Sequence, residues 1–229
     1  MKSSVIFLLC LIVCACGGYK QEGDQMTFER CNEGQGCKSI VVDGADVASF
    51  ETLQGNYAKD NHAVYCFGRA LVGALPASFE PLSETYAKDK EHVYFKCKQV
   101  PGADASSFIA DSNLDYARDK RDVYILGDPI NACDAASFRL LTEDRWAVDS
   151  QCAYQIGTKL PGAHPRSFTI LNYEYAKDDA QVYSSIVGVI PGADAATFEL
   201  TNLPCEVCAR DKNRCYKFGS VISCDTFKR

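Results

Sequence analysis

With 229 residues, 47% of them hydrophobic and 24% charged, the chain has enough apolar surface for an ordinary folded core and is not a disordered tether. Its formal net charge is −6, with 30 acidic residues against 24 basic ones; that balance is not built to neutralise phosphates and excludes nucleic acid as the expected partner. No apolar run of 18 residues follows the N-terminal segment, which excludes a further helical membrane span within the sequence.

At the N-terminus, Lys2 gives a short positive region and Val5 to Val13 a nine-residue apolar stretch, too short to cross a bilayer. Residues 1–15 are therefore expected to be a signal peptide. Val13-Cys14-Ala15-Cys16 resembles a bacterial lipobox, with a small residue before the acceptor cysteine, so Cys16 is the expected lipidated N-terminus. An ordinary cleaved signal peptide is the alternative. Residues 16–27 read as a polar tether, and Gly17 after Cys16 resembles the signal for sorting to the outer membrane.

From Phe50 onward the chain repeats. Phenylalanines stand at positions 50, 79, 108, 138, 168, 198 and 227, separated by 29 or 30 residues. A first aromatic column runs Tyr57, Tyr86, Tyr116, Trp146, Tyr175 and then Cys208; a second runs Tyr65, Tyr94, Tyr124, Tyr154, Tyr183 and Tyr216. Units start near residues 28, 57, 86, 116, 146, 175 and 208, giving a single repeat domain over 28–229.

Within a unit, Asp60, Asp89, Asp119, Asp149, Asp178 and Asp211 each sit three residues after the first column, where Asp favours a tight turn between strands. The Val-Tyr pairs fit a half-buried pleated surface. Pro101-Gly102, Pro161-Gly162 and Pro191-Gly192 suit type II turns, and Asp104, Asp134 or Asp194 can cap one helical turn ending on the ladder phenylalanine. Each unit should hold about three short strands and one turn of helix. The expected fold is all-β, mainly β-hairpins with one-turn helices, in an elongated open array of stacked units, with a closed ring of seven short units as the alternative. Four-stranded propeller blades need roughly 40–45 residues, more than this period supplies.

Setting aside Cys10, Cys14 and Cys16 leaves ten cysteines: Cys31, Cys37, Cys66, Cys97, Cys133, Cys152, Cys205, Cys208, Cys215 and Cys224. An even number in an exported chain implies disulfides. Their crowding at both ends reads as capping of terminal units that have one neighbour instead of two. Cys31–Cys37 and two bridges among the C-terminal four are expected, with Cys66–Cys97 and Cys133–Cys152 as pairs spanning adjacent units. A zinc site from Cys205, Cys208, Cys215 and Cys224 is the rival.

The sequence holds no catalytic, cofactor or metal motif: no HExxH, no GxSxG, no Walker loop. A lone aspartate per unit is a poor calcium loop, which needs several oxygen ligands close in sequence. His62, His92 and His164 read as surface substitutions, and Glu143-Asp144 as solvated charge.

The YAKDK…VY and PGAD…SF elements resemble the bacterial DKNYY family. Asp89-Lys90 with Val93-Tyr94-Phe95, Asp119-Lys120 with Val123-Tyr124, and Asp211-Lys212-Asn213 with Tyr216 carry the resemblance, which covers nearly all of residues 40–229. It implies a repeat-bearing, often exported bacterial protein and assigns no activity to any residue. The many cysteines and the loss of the lysine in Trp146-Ala147-Val148-Asp149 depart from the pattern. The expected function is thus a non-enzymatic, lipid-anchored protein at the periplasmic face of the outer membrane or the cell surface, needing no cofactor. Its β-repeat surface would bind an envelope protein or glycan. A hydrolase of envelope polymers and a structural spacer are the alternatives.

Overall fold

Turn signals this closely spaced leave room for strands of only two or three residues, and the repeats are built from those. The computed structural model describes residues 17–32, 36–110, 116–141, 145–201 and 208–227; the expected signal segment 1–15, the acceptor Cys16, Glu143-Asp144 and the disulfide candidate Cys205 lie outside them. The chain divides into two compact units, Met1–Lys90 and Glu91–Arg229, where the repeat pattern leads one to expect a single domain over 28–229. Repeats touch mainly their neighbours, so no common core unites all of them.

In the first unit, β1 (Gly18–Glu22), β2 (Gln25–Asn32) and β3 (Gly36–Val41) form an antiparallel sheet. The polar tether expected over 16–27 is therefore corrected for residues 18–27, which form strand β1, a turn at Gly23-Asp24 and the start of β2. Tyr19 explains why: its ring packs edge-on against Phe28 at 4.8 Å, and its hydroxyl donates to the Asn56 carbonyl and accepts from the Gly68 amide, both at 3.0 Å. A four-stranded meander follows, β4 (Glu51–Thr52), β5 (Tyr57–Lys59), β6 (Val64–Cys66) and β7 (Arg69–Ala70), and then the pair β8 (Glu80–Pro81) and β9 (Tyr86–Lys88).

The second unit begins with the pair β10 (Val93–Phe95) and β11 (Lys98–Gln99). Four antiparallel meanders of one pattern follow. The first contains β12 (Ile109–Ala110), β13 (Tyr116–Arg118), β14 (Val123–Ile125) and β15 (Asp128–Pro129). The second contains β16 (Arg139–Leu140), β17 (Trp146–Val148), β18 (Ala153–Gln155) and β19 (Thr158–Lys159). The third contains β20 (Thr169–Ile170), β21 (Tyr175–Lys177), β22 (Val182–Ser184) and β23 (Gly188–Val189), and the fourth β24 (Glu199–Leu200), β25 (Cys208–Arg210), β26 (Cys215–Lys217) and β27 (Ser220–Ile222). The protein is nearly all-β; its helices are 3₁₀ turns such as Val47–Ser49, which the Asp46 carboxylate caps.

Sequence periodicity leads one to expect three strands per unit, and the structure has four. The additional strand is the residue pair after each ladder phenylalanine, as in Ile109 opposite Arg118 and Ala110 opposite Ala117. Strands this short let four fit into a 30-residue period, so that period does not exclude a four-stranded sheet.

Two kinds of turn set the shape of a sheet. Leu126-Gly127 and Ile156-Gly157 both carry positive φ, +53° and +88° in one and +46° and +72° in the other, the pattern of a type I′ hairpin. Glycine is needed at the second position for a further reason: a Cβ on Gly157 would lie 2.5 Å from Ile125 Cδ1 of the preceding sheet. After the fourth strand, the Ala163 amide donates to the Leu160 carbonyl at 3.3 Å across Pro161-Gly162, closing the expected type II turn.

The ladder phenylalanines join one sheet to the next. Phe168 lies 5.9 Å from Trp146 of the sheet before it and 5.3 Å from Tyr183 of its own; Phe198 stands likewise 5.4 Å from both Tyr175 and Tyr216. Each such aromatic contact adds roughly 0.5–1.5 kcal/mol beyond area burial.

Candidate functional site

The repeated aspartate does more than make a turn. Asp119 is buried and accepts four hydrogen bonds: Arg121 and Asp122 amides at 2.7 and 2.9 Å on one oxygen, the Asp104 amide at 2.6 Å and the Tyr124 hydroxyl at 2.9 Å on the other. Asp60, Asp149, Asp178 and Asp211 repeat this arrangement with their own hairpin amides, a tyrosine five residues on, and the amide opening the preceding turn. Burial alone would raise the pKa of Asp119; the amide and phenol donors outweigh it and hold the carboxyl below its ordinary range. The paired tyrosines shift upward through burial first and the carboxylate second, Tyr216 to about 12. These carboxylates are saturated with donors, so they are structural hubs with no lone pair left for calcium.

Beside the hubs Asp119, Asp149, Asp178 and Asp211 lies a polar pair that the sequence varies. Lys120 meets Asp104 at 2.8 Å and Lys212 meets Asp194 at 2.7 Å. Of the two intervening repeats, one pairs Asp134 with the Ser150 hydroxyl at 2.7 Å, and in the other the charges are exchanged: His164 replaces the aspartate, Asp179 replaces the lysine, and they stand 2.5 Å apart. His164 is therefore half of a swapped ion pair. Its group with Asp178 and Asp179 is the described histidine-containing cluster with metal-like spacing, but Asp178 is a saturated hub.

The cysteines pair within and between elements. Cys31 and Cys37 face each other across β2 and β3 and are bridged; Cys133–Cys152 and Cys215–Cys224 are bridged with Cα atoms 6.0 and 5.2 Å apart. Cys66, Cys97 and Cys208 are each in a disulfide. With Cys208, Cys215 and Cys224 oxidised, the zinc alternative is corrected: those sulfurs are not thiolates. Cys208 and Cys215 are buried in the columns that carry aromatic and aliphatic side chains elsewhere.

A further polar cluster breaks the repeat symmetry. Glu174 is buried and accepts from the hydroxyls of Ser184 and Ser185, next to a hairpin lengthened by one residue relative to its neighbours. All three side chains are closed off from solvent, which gives a substrate no access to them.

Two surfaces remain open. One is the row of outer hairpin tips, where Leu126, Ile156, Ile186 and Phe218 are 41–64% exposed. The other is a cleft of about 520 Å³ between β12–β13 and β16, lined by Ile109, Tyr116, Arg118, Phe138, Arg139 and Leu140 among others. Sequence reading gave no hint of this cleft, although a signal was present in the residue following each of the first six ladder phenylalanines: Glu51, Glu80, Ile109, Arg139, Thr169 and Glu199.

Serial four-stranded meanders joined through a shared aromatic ladder define a tandem β-repeat protein. The Asp-Lys hairpin with its hydrogen-bonded tyrosine is the recurring element, and the chain belongs to the DKNYY family, whose model matches residues 14–98 and 86–220. No curated protein and no solved structure shows detectable similarity to the chain.

Proposed function

We infer that the chain is an exported, lipid-anchored protein that catalyses no reaction and presents its β-repeat surface to a protein or glycan of the cell envelope. The observation that carries this reading is the row of apolar hairpin tips. Single exposed apolar residues are ordinary on any surface. Here one recurs at the same place in successive sheets, at Leu126, Ile156, Ile186 and Phe218, with Lys159 and Lys217 in the same hairpins. Apolar surface repeated in register and rimmed by charge favours a binding role.

The test is a pull-down from envelope extract, comparing the native chain with a variant carrying serine at those four positions. These side chains are exposed, so the variant should fold. Loss of specific partners in the variant supports the reading, and an identical set of captured molecules overturns it. Intact-mass analysis of the processed protein addresses the anchor: acyl chains on Cys16 are expected, and an unmodified N-terminus elsewhere removes the anchor from the proposal.

A further inference from the structure

The repeat places an ion pair across its first two strands. Glu51 faces Lys59 at 3.7 Å, Glu80 faces Lys88 at 3.7 Å, and Glu199 faces Arg210 at 2.7 Å. In three successive sheets of the second unit the carboxylate is missing; in the third, Thr169 faces Lys177, whose ammonium donates to the Ala195 and Phe198 carbonyls instead. Ile109 stands opposite Arg118, so the cation is kept and its acid is lost. In the next sheet Arg139 occupies the acid position and faces Val148. Both arginines line the same cleft, and among the described residues neither forms an ion pair or side-chain hydrogen bond.

The remainder of the cleft is apolar. Phe138 is only half-buried, as are Phe50 and Phe168 of the same ladder, whereas Phe108 and Phe198 are 2% exposed. Tyr116 is the least buried aromatic of its column. The ladder is thus opened beside the two arginines. Among the described residues lining the cleft there is no carboxylate. Its volume falls in the range of small-molecule sites, roughly 300–1,000 Å³.

We propose that this cleft binds a small carboxylic acid with a compact apolar body, whose carboxylate takes the place that a glutamate holds in three other repeats, at Glu51, Glu80 and Glu199. Arginine pairs with a carboxylate through two parallel N–H···O bonds. Arg118 is already on the strand that offers its cation to such a group, and Arg139 supplies a second fork from the neighbouring sheet. Ile109, Phe138 and Leu140 receive the apolar part. This site is separate from the hairpin tips and stands whether or not they bind a partner.

The test titrates the full chain, disulfides intact, with 4-phenylbutyrate, following the Nε–H resonances of Arg118 and Arg139 by NMR and the affinity by calorimetry. Both resonances should shift. The neutral analogue 4-phenylbutanol should bind at least about tenfold more weakly, because the charge-assisted bonds are lost. Inorganic phosphate, which lacks the apolar part, should also bind more weakly. Ile109→Glu recreates the pair found at Glu51, Glu80 and Glu199; it should leave the urea midpoint unchanged or raised while weakening 4-phenylbutyrate at least about tenfold. Arg118→Gln with Arg139→Gln should abolish binding. Unchanged affinity in Ile109→Glu, equal binding of the alcohol or of phosphate, or no binding of 4-phenylbutyrate would each overturn the proposal.

Discussion

Replacing Asp119 by asparagine tests whether the repeated aspartate is a hub or only a turn former. The carboxylate receives Arg121 and Asp122 amides on one oxygen and the Asp104 amide and Tyr124 hydroxyl on the other. In Asp119→Asn the remaining oxygen can keep the two hairpin amides. The new NH₂ group then faces the other two partners. Tyr124 can rotate its hydroxyl and accept, but the Asp104 amide cannot, and a buried N–H is stranded at a cost of about 1–3 kcal/mol. The bonds that survive lose the charge that strengthened them, about a further 1 kcal/mol together. The expected loss is about 3 kcal/mol, a substantial part of a typical 5–15 kcal/mol stability. Urea unfolding with disulfides intact gives the total, and hydrogen exchange should show the Asp104 amide losing protection first. A loss under about 1 kcal/mol, or an Asp104 amide that stays protected, would refute the hub and return the residue to a turn-forming role.

Three further outcomes follow from the same geometry. The hub tyrosines have pKa values raised above 10.0, Tyr216 to about 12, so their contribution to stability is complete below pH 10 and is lost as pH rises toward 12; alkaline unfolding monitored at the tyrosinate band should show ionisation and loss of structure together. His164 is raised above 6.5 by its hydrogen bond to Asp179 and then by that residue's charge, so its pair is present below pH 6.5 and weakens as pH rises through the folded value; NMR titration should show Asp179→Asn returning the histidine toward 6.5. Gly157→Ala places a Cβ in left-handed backbone against Ile125 and should cost about 1–2 kcal/mol by urea unfolding, with no loss if the hairpin can re-form in another turn type.

The aromatic columns and the turn prolines were legible because side chains repeat at a fixed interval and each turn type demands particular residues. The strand after each ladder phenylalanine was not: two residues such as Ile109-Ala110 are too few to show alternation, and their pairing depends on the hairpin next in sequence. Residues 18–27 read as a tether because their polarity conceals the core side chain Met26 and the partly buried Tyr19, whose partners Asn56 and Gly68 lie far along the chain. The aspartate was correctly located but its role was understated, since two of its four donors come from outside the local turn. The cleft was hidden differently. Its signal lies in what Ile109 and Arg139 replace, and a replaced glutamate has meaning only once the cross-strand lysine or arginine facing it is known.

The Cys133–Cys152 bridge lies across the same gap that the Asp149 hub spans. Cys133 immediately precedes Asp134, whose amide bonds to Asp149 at 2.9 Å, and the Cys152 amide bonds to that carboxylate at 2.6 Å. Turn and hairpin are therefore fastened twice, once by a group that acid can protonate and once by a bond that only reduction can open. At Asp119 and Asp178 the corresponding fastening has no cysteine beside it. Under acid, or under tension along the chain, those joints should yield while the one at Asp149 holds, so oxidation state sets where the array first comes apart.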